Sequence, residues 1–150
     1  LRLAGFDHAW VGASQVFHQY RFRPELPYYY YLERNRFWLL LVYLRWRTLL
    51  LLLPAIVFME CGQLAFATSK GRLTDKLRSY AHFWRVTTWR ELATRRRELH
   101  ALRKLSDREF MARFTGRIES PELEPIGLVR WIANPVLSAY WAVVKRGLRW

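Results

Sequence analysis

Acidic residues are scarce in this sequence. Twelve Asp and Glu stand against 25 Lys and Arg, which leaves a formal net charge of +13. A balance of that kind draws two classes of partner, nucleic acid and anionic lipid. The chain has one cysteine, Cys61, so an internal disulfide is excluded. There is no glycine-rich phosphate loop, no nucleophile elbow, no cysteine pair and no pair of carboxylates at acid/base spacing, and the residues alone assign no reaction. No helix-turn-helix, zinc or RNA-recognition signature accompanies the basic residues, which argues against nucleic acid. Internal repeats and low-complexity linkers are absent as well.

What is present is apolar and aromatic. Hydrophobic residues make up 52% of the chain and aromatic residues 17%, with eight Trp, an unusual content for a soluble basic domain. Residues 48–69 contain no basic residue. At about 1.5 Å per residue they reach roughly 33 Å as a helix, enough for a hydrocarbon core of about 30 Å. Pro54 removes a backbone donor inside this run, and Glu60 and Gln63 place polar groups on one helical face. Glu60 is either a functional group or a protonated side chain paired with Gln63 or a carbonyl.

Charge placement bears on topology. Arg21, Arg23, Arg34, Arg36, Arg45 and Arg47 precede the run, and residues 70–104 hold 11 Lys and Arg against three acids. A single crossing would export one of these basic flanks, against the preference of basic residues for the cytoplasmic side. The run is therefore expected to enter and leave on one face, as a re-entrant hairpin turning near Pro54 or as helices lying in the interface. A single span is the alternative. Arg45, Arg47, Leu51, Phe58, Arg95, Arg96 and Arg97 are the expected membrane-associating residues, and an anionic membrane is the expected partner.

Around this run the pattern predicts mostly helices. Residues 9–18 mix β-branched, aromatic and small residues and read as one or two short strands broken near Gly12. Pro24 and Pro27 bracket a turn or link. A helix is expected over Tyr28–Arg47. Leu73, Leu77, Tyr80 and Trp84 recur at helical spacing with Arg72, Lys76, Arg78 and Arg85 on other faces. Thr88 with Glu91 has the form of a capping box, and Ser106 with Glu109 forms a clearer one that opens a short helix ending near Gly116. Residues 117–126 read as a loop. Asn134-Pro135 suits an N-cap with Pro at the first helical position, followed by an amphipathic helix.

Few residues offer chemistry. His18, at the end of the strand-like segment, can ligate a divalent metal or serve as an ordinary hydrogen-bonded side chain, and no other histidine has ligand spacing with it. Tyr28 to Tyr31 can stack on a sugar or anchor at a headgroup layer. In Glu33-Arg34-Asn35-Arg36 the two arginines can hold a diphosphate by forked hydrogen bonds, or the turn is solvated with a local Glu–Arg pair.

Taken in order, Leu1-Arg2-Leu3-Ala4-Gly5-Phe6, the strand-like Ala9 to Phe17, His18-x-Tyr20-x-Phe22 and Tyr-Tyr-Leu-Glu-Arg-Asn-Arg at 30–36 resemble the C-terminal part of bacterial family 2 glycosyltransferases, of the rhamnosyltransferase-like kind. Thr48-Leu-Leu-Leu-Leu-Leu-Pro-Ala, Gly71-Arg72-Leu73 and Ser106-Asp107-Arg108-Glu109 continue the likeness, which weakens after about residue 116. The resemblance implies a GT-A domain that moves a sugar from a nucleotide-sugar donor to a glycan or lipid-linked acceptor with inversion. It implies a divalent metal, Mg²⁺ or Mn²⁺, with His18 as a ligand and Tyr20, Arg21, Arg34 and Arg36 on the substrate side. The metal-binding Asp motif and the general base would precede Leu1, so no catalytic residue is expected within the chain, and a fragment without them would be inactive alone.

The expected fold is mainly α: a short N-terminal strand remnant of an α/β GT-A domain, followed by membrane-associated amphipathic and apolar helices. Residues 1–27 would finish the catalytic domain, 28–104 form the membrane-associating region and 105–150 a helical tail. The expected place is the cytoplasmic face of the cell membrane. A non-enzymatic small basic membrane anchor or scaffold is the alternative.

Overall fold

A computed structural model describes residues 1–9, 11–17, 28–119 and 126–150. Among these the structure is helical and contains no strand. Residues 11–17, read from sequence as strand, hold a turn and irregular chain. A strand is stable only beside a partner, and no described segment supplies one. The link at Pro24 and Pro27 and most of the loop at 117–126 lie outside the described residues.

The chain divides into two compact units, residues 1–43 with 63–104 and residues 44–62 with 105–150. The helices are α1 (Tyr28–Tyr43), α2 (Trp46–Ser69), α3 (Leu73–His82), α4 (Val86–Leu102), α5 (Asp107–Met111) and α6 (Asn134–Gly147). Helix α2 contributes its first part to the second unit and residues 63–69 to the first.

The helix expected over Tyr28–Arg47 breaks at Leu44 and Arg45, and α2 restarts at Trp46. The cause lies far away in sequence. Buried Asp107 accepts a hydrogen bond of 3.0 Å from the Arg45 backbone N–H and a second from the Thr48 hydroxyl. The Arg45 N–H stands at the new helix start, where backbone donors lack intrahelical partners, and a carboxylate there also meets the positive end of the helix dipole. From that start α2 runs unbroken for 24 residues, about 36 Å, with Pro54 inside it. The re-entrant turn expected at Pro54 is therefore absent: proline costs the helix one hydrogen bond, and the leucines on either side continue it. The helix ends where Gly71 takes φ +65°. Gly71 N–H donates to Thr68 O at 3.2 Å and Arg72 N–H to Ala67 O at 2.7 Å, the paired bonds of a Schellman cap.

In the first unit α1 packs on α3 and α4. Lys76 of α3 is fully buried and pairs with Glu33 of α1, which also takes Arg36 at 3.0 Å. Arg96 of α4 and Arg103 just after it donate to the carbonyls of Leu41 and Tyr43 at the end of α1, where free carbonyls and the helix dipole favour cations. The α3–α4 corner is not closed by the Thr88–Glu91 box. Helix α4 already starts at Val86, and the Thr88 hydroxyl donates instead to His82 O at 2.8 Å while Trp89 Nε1–H donates to Phe83 O at 2.7 Å.

The second unit has a more ordinary apolar centre of Leu44, Met111, Leu137, Val144 and Leu148. The Ser106–Glu109 capping box is present and opens α5, which ends at Met111 rather than near Gly116. Gly116 has a packing role: a Cβ there would lie 2.8 Å from the Leu137 carbonyl oxygen and against Trp141. Asn134 does not cap α6. Gly127 and Leu128 are already helical and a π-helical turn spans Val129–Ala133, so the chain enters Asn134 as helix. Pro135 cannot donate to the preceding turn and its ring crowds it, and the wider π turn accommodates both. Freed from capping, the Asn134 amide accepts from Ile118 N–H at 2.7 Å.

Candidate membrane-docking surface

In the first unit, parts of α1 and α3 turn apolar side chains outward and bury charge, although Leu3, Val42, Ala67 and Leu92 are buried there. The apolar row expected on α3 divides: Leu73 and Leu77 are exposed, as is Trp84 just after the helix at 87%, Tyr80 packs on Phe37 of α1, and Lys76 and Ser79 are buried. On α1 the exposed row is Tyr28, Leu32 and Leu39, and the buried residues are Glu33 and Val42. The Glu33–Lys76 pair decides this orientation. Its two charges can be buried only together, and once they meet, Leu32 and Leu39 of α1 and Leu77 of α3 point the other way.

Helix α2 carries the longest such row. Trp46, Leu50, Leu53 and Val57 follow at four-, three- and four-residue steps, and all are at least half exposed, Leu50 to 70%. Phe58 adjoins them, and the row continues through exposed Cys61 and Ala65. None of the most apolar 18 residues of α2 is buried, and by length and composition it is the one helix among the described residues able to cross a membrane. Its other side is engaged. The Leu51 carbonyl accepts from the Tyr140 hydroxyl, Leu51 lies against Gly147, and Thr48 accepts from Trp150 Nε1–H at 2.9 Å. Glu60 is half-buried. Leu128, Trp131, Ile132, Val136 and Val143 form a further exposed row on the last helix, with Trp131 at 72%.

Basic residues stand at the ends of the α2 row. Arg47 is exposed and reaches over the Trp150 ring at 5.9 Å, and Lys70 and Arg72 are exposed after the helix. Long basic side chains in that position place their stems along the apolar surface and their heads at headgroup level. Of the other expected membrane residues, Arg45 is half-buried with its backbone N–H on Asp107, and Leu51 packs within the second unit. Arg95 and Arg97 are exposed, Arg95 paired with Glu98 at 3.3 Å. Arg96 is a correction: its side chain is buried on the Leu41 carbonyl. Three consecutive helical residues point 100° apart, so a run of arginines cannot all face one surface.

The expected substrate-side residues separate in the same way. Arg36 is tied to Glu33, and Arg34 bonds the Asn35 side chain at 2.9 Å and lies over the Tyr30 and Tyr31 rings. The turn is thus a local ion-pair network rather than a free diphosphate fork. His18, Tyr20 and Arg21 lie outside the described residues. Among the described residues no cluster of three His, Cys, Asp or Glu could hold a metal ion, so the donor set here does not by itself fit Mg²⁺ or Mn²⁺. A basic cleft beside α3, lined by Tyr30, Arg78, Ala81, His82 and Arg85, was missed by sequence reasoning. Its signal was Arg78 and His82 one turn apart on α3, with Arg85 in the corner that follows. Comparisons with protein-family models, with curated proteins and with solved structures find no match for this chain.

Proposed function

We propose that this chain is the membrane-docking, C-terminal part of a glycosyltransferase that moves a sugar from a nucleotide-sugar donor to a cell-surface polysaccharide or lipid-linked acceptor at the cytoplasmic face of the membrane. The observation that carries the docking is the exposed apolar row of α2 with basic residues at both ends. Each half-exposed leucine or aromatic side chain on it gains on the order of 1 kcal/mol by leaving water, and anionic headgroups add about 1 kcal/mol per nearby basic residue. Because one side of α2 is engaged in packing, the helix lies in the interface with its free row downward. A docked enzyme meets a lipid-linked acceptor in the plane where that acceptor is held. The transferase half of the proposal rests on the resemblance of Leu32-Glu33-Arg34-Asn35-Arg36 and its neighbours to family 2 glycosyltransferases.

Vesicle flotation tests the docking. The chain should float with vesicles containing anionic lipid, and Leu50→Gln/Leu53→Gln/Val57→Gln should reduce the bound fraction at least about tenfold. A fluorophore on Cys61 reads depth: quenching about 5–10 Å below the headgroups fits an interfacial helix, and quenching at the bilayer centre makes α2 a span. Equal flotation of the triple variant would remove the α2 row from the surface. The transferase half is assayed separately, as sugar transfer to lipid-linked acceptors by the full gene product. Docking without any transfer would leave a non-enzymatic anchor.

A further inference from the structure

A cleft of about 360 Å³ opens in the first unit between α1 and the end of α3. Arg78 and His82 stand one turn apart on α3, and Arg85 follows as the residue before α4. Tyr30 of α1 forms the facing wall. The volume suits a small ligand, and the lining is basic with one aromatic face.

Several other arginines of the first unit are already committed. Arg36 pairs with Glu33, Arg72 with Asp75 at 3.9 Å and Arg95 with Glu98, while Arg96 and Arg103 hold carbonyls. Arg78 and Arg85 make no ion pair with a described carboxylate, and both are exposed. Two uncommitted guanidiniums lining one cleft offer forked donors of the kind that match phosphate oxygens. The concavity concentrates their field on whatever enters.

We propose that this cleft binds a phosphate group, as a monoester or a diphosphate, with Arg78 and Arg85 as forked donors and the Tyr30 ring as the wall beside it. His82 reports on occupancy. Burial, then Arg34, then Arg85 hold its imidazole below the usual histidine range, and Glu91 opposes them weakly; Arg78 shares the same wall. The Trp38 and Phe83 rings flank it at 6.3 and 5.4 Å. A bound phosphate neutralises the cationic field, so the pKa of His82 rises and the ring becomes a further donor. The cleft needs neither the transferase reading nor the α2 row.

The test is a histidine-resolved NMR titration of the full chain in nanodiscs. With zwitterionic lipid alone, inorganic pyrophosphate should shift the His82 ring and raise its pKa. Arg78→Gln/Arg85→Gln should weaken that binding about tenfold or more. Arg95→Gln/Arg97→Gln removes the same charge from α4 and should leave binding within about twofold. Arg78→Gln alone is a milder check on an exposed side chain. Nanodiscs containing phosphatidic acid separate the sources: a His82 shift from the lipid that excludes pyrophosphate assigns a headgroup, and pyrophosphate binding untouched by the lipid assigns a free ligand. No His82 shift with either probe, or equal loss in the two double variants, overturns the proposal. Flotation is measured on the same samples, so a failed cleft with intact docking is distinguishable from failed docking.

Discussion

The two units solve the same problem, burying polar groups, by opposite means. The first buries formal charge: Glu33 and Lys76 are paired inside it, and Arg96 is laid on a helix end. The second buries capping groups: Asp107 closes the start of α2, Asn134 holds a loop backbone, and Thr48 takes the Trp150 indole. A buried ion pair contributes little net stability, but its geometry excludes alternatives. In the first unit it sets which face of α1 and α3 turns outward, and so exposes the leucines. Apolar side chains supply packing in both units, Leu3, Val42, Ala67 and Leu92 in the first and Leu137, Val144 and Leu148 in the second, where the polar bonds fix helix ends. The first unit is specified by charge and the second by caps.

The largest expected effect breaks the charge side of this contrast. Lys76→Met leaves Glu33 without its buried cation and should cost about 3–5 kcal/mol. Hydrogen exchange would show it as lost protection in α1 and α3 with α6 unchanged. Adding Glu33→Gln to the same chain should recover most of the loss, because a neutral pair no longer pays for an uncompensated charge. If the double variant stays as unstable as the single one, the pair is a stabilising bond rather than an orienting one, and the contrast between the units fails.

The second unit gives a smaller effect of another kind. Asp107→Ala orphans the Arg45 N–H and the Thr48 hydroxyl and removes the charge at the start of α2, a loss of about 2–3 kcal/mol. Asp107→Asn keeps an acceptor and should cost about half as much. Exchange would rise at residues 45–48 first. Equal loss from both substitutions would mean that charge rather than hydrogen bonding holds this helix start.

These two contacts also show how far the sequence could be read. Local signals were legible: the Ser106–Glu109 box, the apolar length of α2, and the helix opening at Tyr28. What failed was set by distant partners. Glu33 lies 43 residues from Lys76, and Asp107 lies 62 from Arg45. Nothing in helical spacing says that Leu73 and Leu77 will be exposed and Lys76 buried, because that depends on a carboxylate from another helix. Asn134-Pro135 has the composition of a helix start, yet the chain was already helical and the amide was used elsewhere. The basic cleft was visible only as a spacing of 78, 82 and 85, which gains meaning when Tyr30 is placed opposite.

The smallest expected effect is a separation of the two units along the pH axis. Burial, Arg34 and Arg85 depress the His82 pKa in the first unit from its ordinary 6.5. The unfolded chain then binds more protons than the folded one, so stability falls as pH drops through 6.5 and levels off below the folded pKa. In the second unit Glu109 is held below its ordinary 4.5 by hydrogen bonds from the Ser106 hydroxyl and backbone N–H. Its contribution is complete above 4.5 and is lost as pH falls through the folded pKa. Helix α3 should therefore begin to lose exchange protection as pH falls through 6.5, while α5 keeps its own until pH falls below 4.5. His82→Gln should flatten the first step and leave the second, and Glu109→Gln should do the reverse. The His82 step should shrink in the presence of pyrophosphate if the cleft is occupied, since a bound anion restores the charged imidazole. Simultaneous loss in both units would show that they unfold as one body, and the division between charge and caps would then describe contacts rather than separable stabilities.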